Sequence, residues 1–223
     1  MKILHLETSS KNSSVAISEH GHILCLCEEV SENYKQSEHL HKFVEWALEG
    51  AEIQLKDLDA VALGMGPGSY TGLRIGTAAA KGYCFALGIP LIAVNSLETM
   101  VEPFVGQGFD AIIPMVDARR MEVYSAVFSG NDGKEIAPTQ ALILDENSFS
   151  EYHDKKVIFV GDGAKKASTI LQMPHATYHS EVFPSAQYLV QKAVEKYNHQ
   201  SFEDIAYFDP FYLKEFQGTK SSK

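Results

Sequence analysis

The segment Gly64-Met65-Gly66-Pro67-Gly68-Ser69-Tyr70-Thr71-Gly72-Leu73-Arg74-Ile75-Gly76 is the clearest indication of the fold class, because a glycine-rich turn there joins two segments of different periodicity. Residues 59–65 before it are typical of a buried strand. The spacing after it predicts a helix over about 71–87, which Gly88 and Pro90 would end. A strand, a glycine turn and a helix in this order indicate an α/β protein.

A glycine turn between a strand and a helix could also hold phosphate, but three enzyme motifs fail here. No lysine follows the glycines, as a Walker A loop requires. Ser69 stands where a dinucleotide-binding turn needs its third glycine. Ser69 also lacks the glycines two residues before and after it that form a nucleophile elbow.

The helix after the turn carries small residues on one stripe, at Gly72, Gly76 and Ala80, with Ala79 and Tyr83 beside them. Each glycine inside a helix costs about 1 kcal/mol relative to alanine, so a close contact should offset that cost. The stripe fits a tight contact with this protein's own sheet and a helix shared with a second protein equally well. The spacing alone does not choose between them.

The two halves of the sequence follow a similar order of elements. Residues 2–30 read as three antiparallel strands, and a helix over 37–50, capped by Ser37, precedes the strand at 59–65. After Gly106-Gln107-Gly108 the order restarts with a strand at 112–117 that ends in an acid, as the first strand does at Glu7. This weak repeat predicts two similar α/β lobes, residues 1–105 and 106–223, around a cleft, as in actin-like proteins.

Charge and composition narrow the function classes. The chain has a formal net charge of −10 and three cysteines, and it does not begin with a secretory signal pattern. We expect a cytoplasmic protein that does not enter a membrane. An acidic chain does not look built to bind RNA alone, so a role beside RNA would need a more basic partner.

The segment 66–76 closely resembles the signature of the TsaB/YeaZ family of bacterial tRNA threonylcarbamoyladenosine biosynthesis proteins, with Tyr70 where phenylalanine is usual. Further blocks agree in order, and the resemblance covers nearly the whole chain: residues 3–9, although aspartate is more usual at Glu7, then 94–98, 116–124, 161–164, 184–186 and 210–214.

The resemblance implies an actin-like (ASKHA, RNase H-like) fold and a non-catalytic subunit. Such a subunit pairs with the homologous catalytic subunit TsaD and, together with the ATPase TsaE, supports threonylcarbamoyl transfer to the adenosine beside the anticodon of tRNAs that read ANN codons. Transfer RNA would be met only through that complex, and the subunit can form homodimers when alone. In the family the pairing uses the two helices of the first lobe, which tips the balance towards a shared helix. The corresponding residues here are Leu40, Phe43, Val44, Gly72, Leu73, Arg74, Ile75, Gly76, Ala79, Ala80 and Tyr83.

The catalytic relative holds a metal with a His-x-x-x-His pair in its first lobe, and this sequence has no such pair there. His39 and His41 are two residues apart, so on a helix they would diverge by about 200°. The pair His175 and His179 falls in the other lobe, where surface-loop histidines are the preferred interpretation. We expect no metal site and no required cofactor.

Nucleotide binding in the cleft between the two lobes is a weaker alternative. Glu7, Thr8, Asp117, Gly161 and Gly163 fall where actin-like ATPases contact phosphate and adenosine, but a glycine-rich phosphate hairpin after Glu7 is missing. Nucleotide binding stays open and hydrolysis is not expected. The rival hypotheses are an independent actin-like ATPase or kinase, a glycoprotease-type metallopeptidase, and a homodimeric scaffold. The leading hypothesis predicts that Gly76→Leu blocks pairing and leaves the lobe folded.

Overall fold

A computed structural model describes residues 1–31 and 36–214, without the side chains of residues 36–38. The described strands are β1 (Lys2–Glu7), β2 (Asn12–Glu19), β3 (His22–Val30), β4 (Ala60–Gly64), β5 (Leu91–Val94), β6 (Ala111–Asp117), β7 (Glu122–Ser129), β8 (Glu135–Ile143), β9 (Val157–Val160) and β10 (Ala176–His179). The α-helices are α1 (Gln36–Gly50), α2 (Tyr70–Leu87), α3 (Ala164–Ile170) and α4 (Val190–Asn198).

The strands form two sheets of the same topology. The first has the order β3-β2-β1-β4-β5 and the second, read from its other edge, β8-β7-β6-β9-β10. In each sheet the first three strands in sequence are antiparallel and the last two add in parallel. The internal repeat is therefore confirmed, and the protein has an α/β actin-like fold with two similar lobes.

The first sheet is buried on both faces, which explains why β1 and β4 are largely apolar. Leu4 and Leu6 point towards α1 and α2, together with Val61 and Leu63 of β4. Alternate residues such as Ile3 point to the opposite face, since successive side chains of a strand do so. That opposite face is covered by the 3₁₀ helix Ala186–Leu189 and by α4.

The C-terminal part of the chain returns to the first sheet. Glu203 pairs with Leu91 at the β5 edge, and Phe208 is buried in the core between the sheet and α1–α2. The Phe211 N–H donates to the Met65 carbonyl over 2.8 Å. Residues from Ala186 onward thus pack mainly on the first sheet, which the repeat in the sequence did not predict. The boundary at 105/106 itself stays a prediction.

The predicted end of α2 is correct, but two predicted capping side chains are not. The sequence predicts that Ser96 caps a short helix ending near Pro103 and that Ser185 caps a helix reaching about Tyr197. The Ser69 hydroxyl accepts from the Gly72 N–H at the start of α2, and Gly88 ends that helix in the left-handed region (φ 67°). Ser185 does stand in the N-cap position before Ala186–Leu189, but its hydroxyl makes no capping hydrogen bond, and the helix after Ser96 begins beyond Leu97. The hydroxyls of Ser96 and Ser185 donate instead to Glu7 and Glu28, both over 2.8 Å, and the segments after them begin as 3₁₀ helices. The Ser37 side chain lies outside the described residues.

Strand β10 was missed by the sequence analysis. His175 precedes this strand and His179 ends it, so the expected surface loop is in part an edge strand next to β9. Both histidines are exposed, as expected. A run of only four strand residues beside Pro174 is too short to show a clear period.

Candidate functional site

The glycines of the 64–76 segment give space to this chain's own β1–β2 turn. A Cβ atom at Gly64 would lie 1.9 Å from a Glu7 carboxylate oxygen, and one at Gly68 would lie 2.2 Å from the Ser9 carbonyl. A Cβ at Gly76 would lie 2.3 Å from the Thr8 hydroxyl. The turn is therefore filled by the protein itself and does not form an open phosphate cradle.

The small-residue stripe of α2 faces the same turn. The Thr8 hydroxyl donates to the Gly72 carbonyl over 2.8 Å, and Ala80 is fully buried in the core. These contacts account for the small side chains without a second protein, so the tight internal contact is the arrangement that the fold adopts.

The set of residues predicted for a partner interface divides into two groups in the structure. Most of its members are buried inside the single chain and cannot form its outer surface: Leu40, Phe43, Val44, Gly72, Leu73, Gly76, Ala79 and Ala80. Arg74 is exposed, whereas Ile75 and Tyr83 are half-buried, so these three remain available to a partner.

The outward face of α2 carries a different row of residues, Arg74, Ala78, Gly82 and Phe85. A Cβ at Gly82 would have no atom within 4 Å, and Phe85 keeps 85% of its surface exposed. On α1 the exposed aromatic residue is Trp46, at 48%. We name the surface of Trp46, Ala78, Gly82 and Phe85 the helix face. At about 100° per residue, Gly82 lies about 200° from Ala80 around the helix axis. A helical-wheel projection centred on the buried stripe would therefore have placed Gly82 on the outward side.

A polar contact joins α1 and α2. The His41 Nδ1 and the Tyr83 hydroxyl are 2.8 Å apart, and their rings meet edge to face. Burial raises the pKa of Tyr83, and the charge of Glu45 adds to that effect. Lys42 pairs with Glu45 and lies 5.8 Å from the Trp46 ring. The face is therefore apolar along α2 and charged along α1.

A groove of about 390 Å³ lies between α2 and the C-terminal segment. Its lining includes Arg74, Lys81, Asp209 and Tyr212. The Arg74 guanidinium stacks 4.4 Å from the centre of the Tyr70 ring, which in turn packs against Tyr212. The groove continues the helix face towards the C-terminal segment.

In the cleft, Glu7 is enclosed by the first lobe. It is fully buried and accepts hydrogen bonds from the Ser9 N–H over 2.7 Å and the Ser96 hydroxyl over 2.8 Å. Burial raises the pKa of its carboxyl group, and these hydrogen bonds oppose the increase. Glu7 and Thr8 therefore hold the β1–β2 turn against Gly64, Gly72 and Gly76, and neither presents an open ligand to the cleft.

The corresponding turn of the second lobe is more open. Asp117 is exposed at the end of β6 and pairs with Lys166 over 2.7 Å. Gly161 (φ 107°) and Gly163 pack closely on Met115, so their small size serves the contact of α3 with β6. Burial raises the pKa of Asp162, and the charge of Lys11 from the first lobe opposes that shift. The predicted cleft residues thus lie on two facing turns.

The pKa direction at Glu7 gives a testable pH dependence. A carboxyl whose pKa in the folded protein is above its unfolded value of about 4.5 binds protons more tightly in the folded state, so stability falls as pH rises above that value. Glu7→Gln removes this titration, so its stability relative to the wild type should increase between pH 5 and pH 8. Urea unfolding of both proteins at the two pH values measures the change, and parallel curves would contradict it.

Within 1–31 and 36–214, no three or more His, Cys, Asp and Glu side chains are grouped so that they could hold a metal ion. In the same part of the chain, none of the helices combines the length and the apolar character that crossing a membrane requires.

Comparison with known proteins identifies relatives over most of the sequence. The family model described as "TsaD: tRNA N6-adenosine threonylcarbamoyltransferase" matches residues 28–208. The tRNA threonylcarbamoyladenosine biosynthesis protein TsaB of Bacillus subtilis is 37% identical over 118 residues, which are 51% of this chain and 51% of that protein. The chain thus aligns with about half the length of this relative. The Haemophilus influenzae TsaB is 25% identical, with 96% of this chain and 94% of that protein aligned.

A solved structure agrees with the fold. YeaZ from Pseudomonas aeruginosa superposes with a TM-score of 0.82 at 27% identity, covering 95% of this chain and 99% of that one.

Proposed function

Because this chain belongs to the family described as TsaD, tRNA N6-adenosine threonylcarbamoyltransferase, and is a TsaB/YeaZ-type member of it, we propose that it is a non-catalytic subunit in the biosynthesis of threonylcarbamoyladenosine in tRNA. It pairs through the helix face with a TsaD-like catalytic subunit. A TsaE-like ATPase joins this pair, tRNA is bound through the complex, and the work takes place in the cytoplasm.

The observation that carries this proposal is the exposure of the helix face, which no residue of the described chain covers at Gly82. Phe85 is the most exposed aromatic side chain of α2, and it stands one turn from Gly82, above which the space is open. Aromatic anchors beside small residues are typical of protein interfaces, because the small residues let a second helix approach closely.

The occupant we propose is a chain of the same fold. The matching family model describes a catalytic transferase, so that transferase would present helices equivalent to α1 and α2. Two such helix pairs can pack about an approximate two-fold axis, with each covering the other's apolar row. The same geometry allows a homodimer when the catalytic subunit is absent.

The non-catalytic role is supported by how the acids of the cleft are used. The carboxylate of Glu7 is sealed beneath Gly64 and held by Ser96. Asp117 is paired with Lys166 and accepts from the Arg119 N–H over 2.6 Å. Both acids therefore stabilise turns, an arrangement that favours a structural role over general acid–base chemistry.

The proposed function is tested in the native cell. Deletion of the gene should remove threonylcarbamoyladenosine from total tRNA, as measured by mass spectrometry of nucleosides, and the wild-type gene should restore it. Affinity purification of the tagged chain should recover the catalytic homologue. Unchanged modification in the deletion strain would reject the proposal, and ATP or peptide turnover by the purified chain would favour the independent-enzyme hypotheses.

A further inference from the structure

The hairpin between β6 and β7 holds two arginines in an unfavourable backbone conformation. Arg119 and Arg120 have φ values of 69° and 52°, in the left-handed region. The Ala118 N–H donates to the Glu122 carbonyl over 3.0 Å, and the Glu122 N–H donates to the Arg119 carbonyl over 3.2 Å. Glycine and asparagine fit such positions far better than arginine does. Turn geometry alone therefore gives no reason for two arginines.

Lys166 of α3 binds this hairpin through its side-chain ammonium group. Its ammonium group lies 2.7 Å from an Asp117 carboxylate oxygen, 2.8 Å from the Arg120 carbonyl and 3.0 Å from the Glu122 carbonyl. The Lys166 side chain is only 14% exposed. Strained conformations of this kind persist where surrounding contacts hold them, and they occur most often at functional sites.

The charges around the tip leave the two guanidinium groups available. Lys166 is paired with Asp117, and Lys214 is paired with Glu122. Both arginines are exposed, and within residues 1–31 and 36–214 neither guanidinium has a carboxylate within ion-pair distance. The chain as a whole carries a formal charge of −10, so this doubly cationic tip stands out against an acidic surface.

We propose that the Arg119–Arg120 tip is a contact for the phosphodiester backbone of RNA. Exposed arginines bind phosphate oxygens through their planar, forked donors, and contacts to the backbone position a nucleic acid without reading its sequence. The inference rests on the proposed function, which brings tRNA to the complex. It assigns this acidic subunit a direct, local share in holding that tRNA.

An RNA backbone is favoured over a free nucleotide because both side chains are exposed on a hairpin tip. A nucleotide site would be concave and would bury most of its ligand. The acids nearest the tip, Asp117 and Glu122, are already engaged by lysines, so they do not compete for the arginines.

The test measures the salt dependence of tRNA binding by the full chain, alone and with its co-purified catalytic subunit. Fluorescently labelled, unmodified tRNA is titrated at several KCl concentrations. In Arg119→Asn/Arg120→Gly the replacements suit the left-handed backbone and remove both charges. We expect the slope of log K against log salt to become shallower by roughly 1.5, because each lost phosphate contact removes about 0.7 to 0.9. The same variant should have a higher Tm, since the strain is relieved.

Two matched variants separate the contact from general charge. Lys155→Ala/Lys156→Ala removes two adjacent exposed cations elsewhere on the second lobe and should leave the slope unchanged. Arg119→Lys/Arg120→Lys keeps both charges and should retain most of the wild-type slope of log K against log salt. An equal loss of slope in Lys155→Ala/Lys156→Ala, or an unchanged slope in Arg119→Asn/Arg120→Gly, would overturn the proposal. Loss of Mg–ATP binding with intact tRNA binding would also overturn it, in favour of a nucleotide contact.

Failure of this inference and failure of the proposed function give different results. If tRNA modification survives deletion of the gene, the proposed function is wrong. If the deletion abolishes modification and Arg119→Asn/Arg120→Gly still binds tRNA like the wild type, only the assignment of the two arginines is wrong.

Discussion

Phe85→Glu is expected to disrupt pairing with the catalytic subunit while the chain stays folded. The side chain is 85% exposed, so the change costs the isolated chain little, within about 0.5 kcal/mol. In the proposed complex, however, it would remove a buried aromatic anchor and place an unpaired carboxylate beside Gly82. Hot-spot residues contribute about 2 kcal/mol or more, so we expect the Kd to rise at least about thirtyfold.

Co-purification and sedimentation of the mixed subunits measure this effect. Ile136→Glu is the matched control, because Ile136 is 55% exposed on β8 of the second lobe and the same kind of substitution there should leave pairing intact. Trp46 is the single tryptophan of the chain, so 5-fluorotryptophan at that position should show a shifted ¹⁹F resonance on pairing. An unchanged Kd for Phe85→Glu would exclude the helix face as the interface.

Gly76→Ala and Gly82→Ala are expected to change stability in opposite directions, although both replace a glycine inside α2. At Gly76 the added methyl group meets the Thr8 hydroxyl at 2.3 Å and a Leu63 methyl at 3.2 Å, and Thr8 is itself buried. Overpacking of this kind costs about 1–3 kcal/mol. At about 2–4 °C per kcal/mol for a chain of this size, Tm should fall by about 2–12 °C.

At Gly82 the methyl group points into open space and the helix gains stability, by about 0.5–1 kcal/mol. Thermal unfolding of the two variants at low protein concentration measures the contrast. Thr8→Ala combined with Gly76→Ala should recover part of the lost Tm, because the clash is with that side chain. A Tm increase for Gly76→Ala would show that the turn relaxes away from the helix.

This contrast also corrects the expectation that Gly76→Leu would block pairing in a folded lobe. A leucine at Gly76 would collide with Thr8 inside the chain, so loss of the complex would report loss of the fold. The experiment that separates pairing from folding must be made at Gly82 or Phe85, on the outward side of the same helix.

Much of the fold was predictable because it depends on local patterns. The period of α2 and its Gly88 end are set by residues close in sequence, and both were correctly predicted. The Ser69 cap is equally local, but it was not predicted. The repeat of strands ending at Glu7 and Asp117 predicted two lobes, and the equivalent orders of the two sheets confirm it. The side chains of Ser96 and Ser185 were wrongly predicted as caps because their acceptors, Glu7 and Glu28, are distant in sequence.

The α/β class, the two lobes and the family follow from the amino-acid sequence alone, because they depend on hydrophobic periodicity and on a run of specific residues at 66–76. Which side of α2 faces outward depends on how the folded chain packs around that helix. Gly76 and Gly82 are equivalent by propensity, and nothing local distinguishes them. The difference arises because the β1–β2 turn brings Thr8 against Gly76, whereas no residue of the described chain covers Gly82.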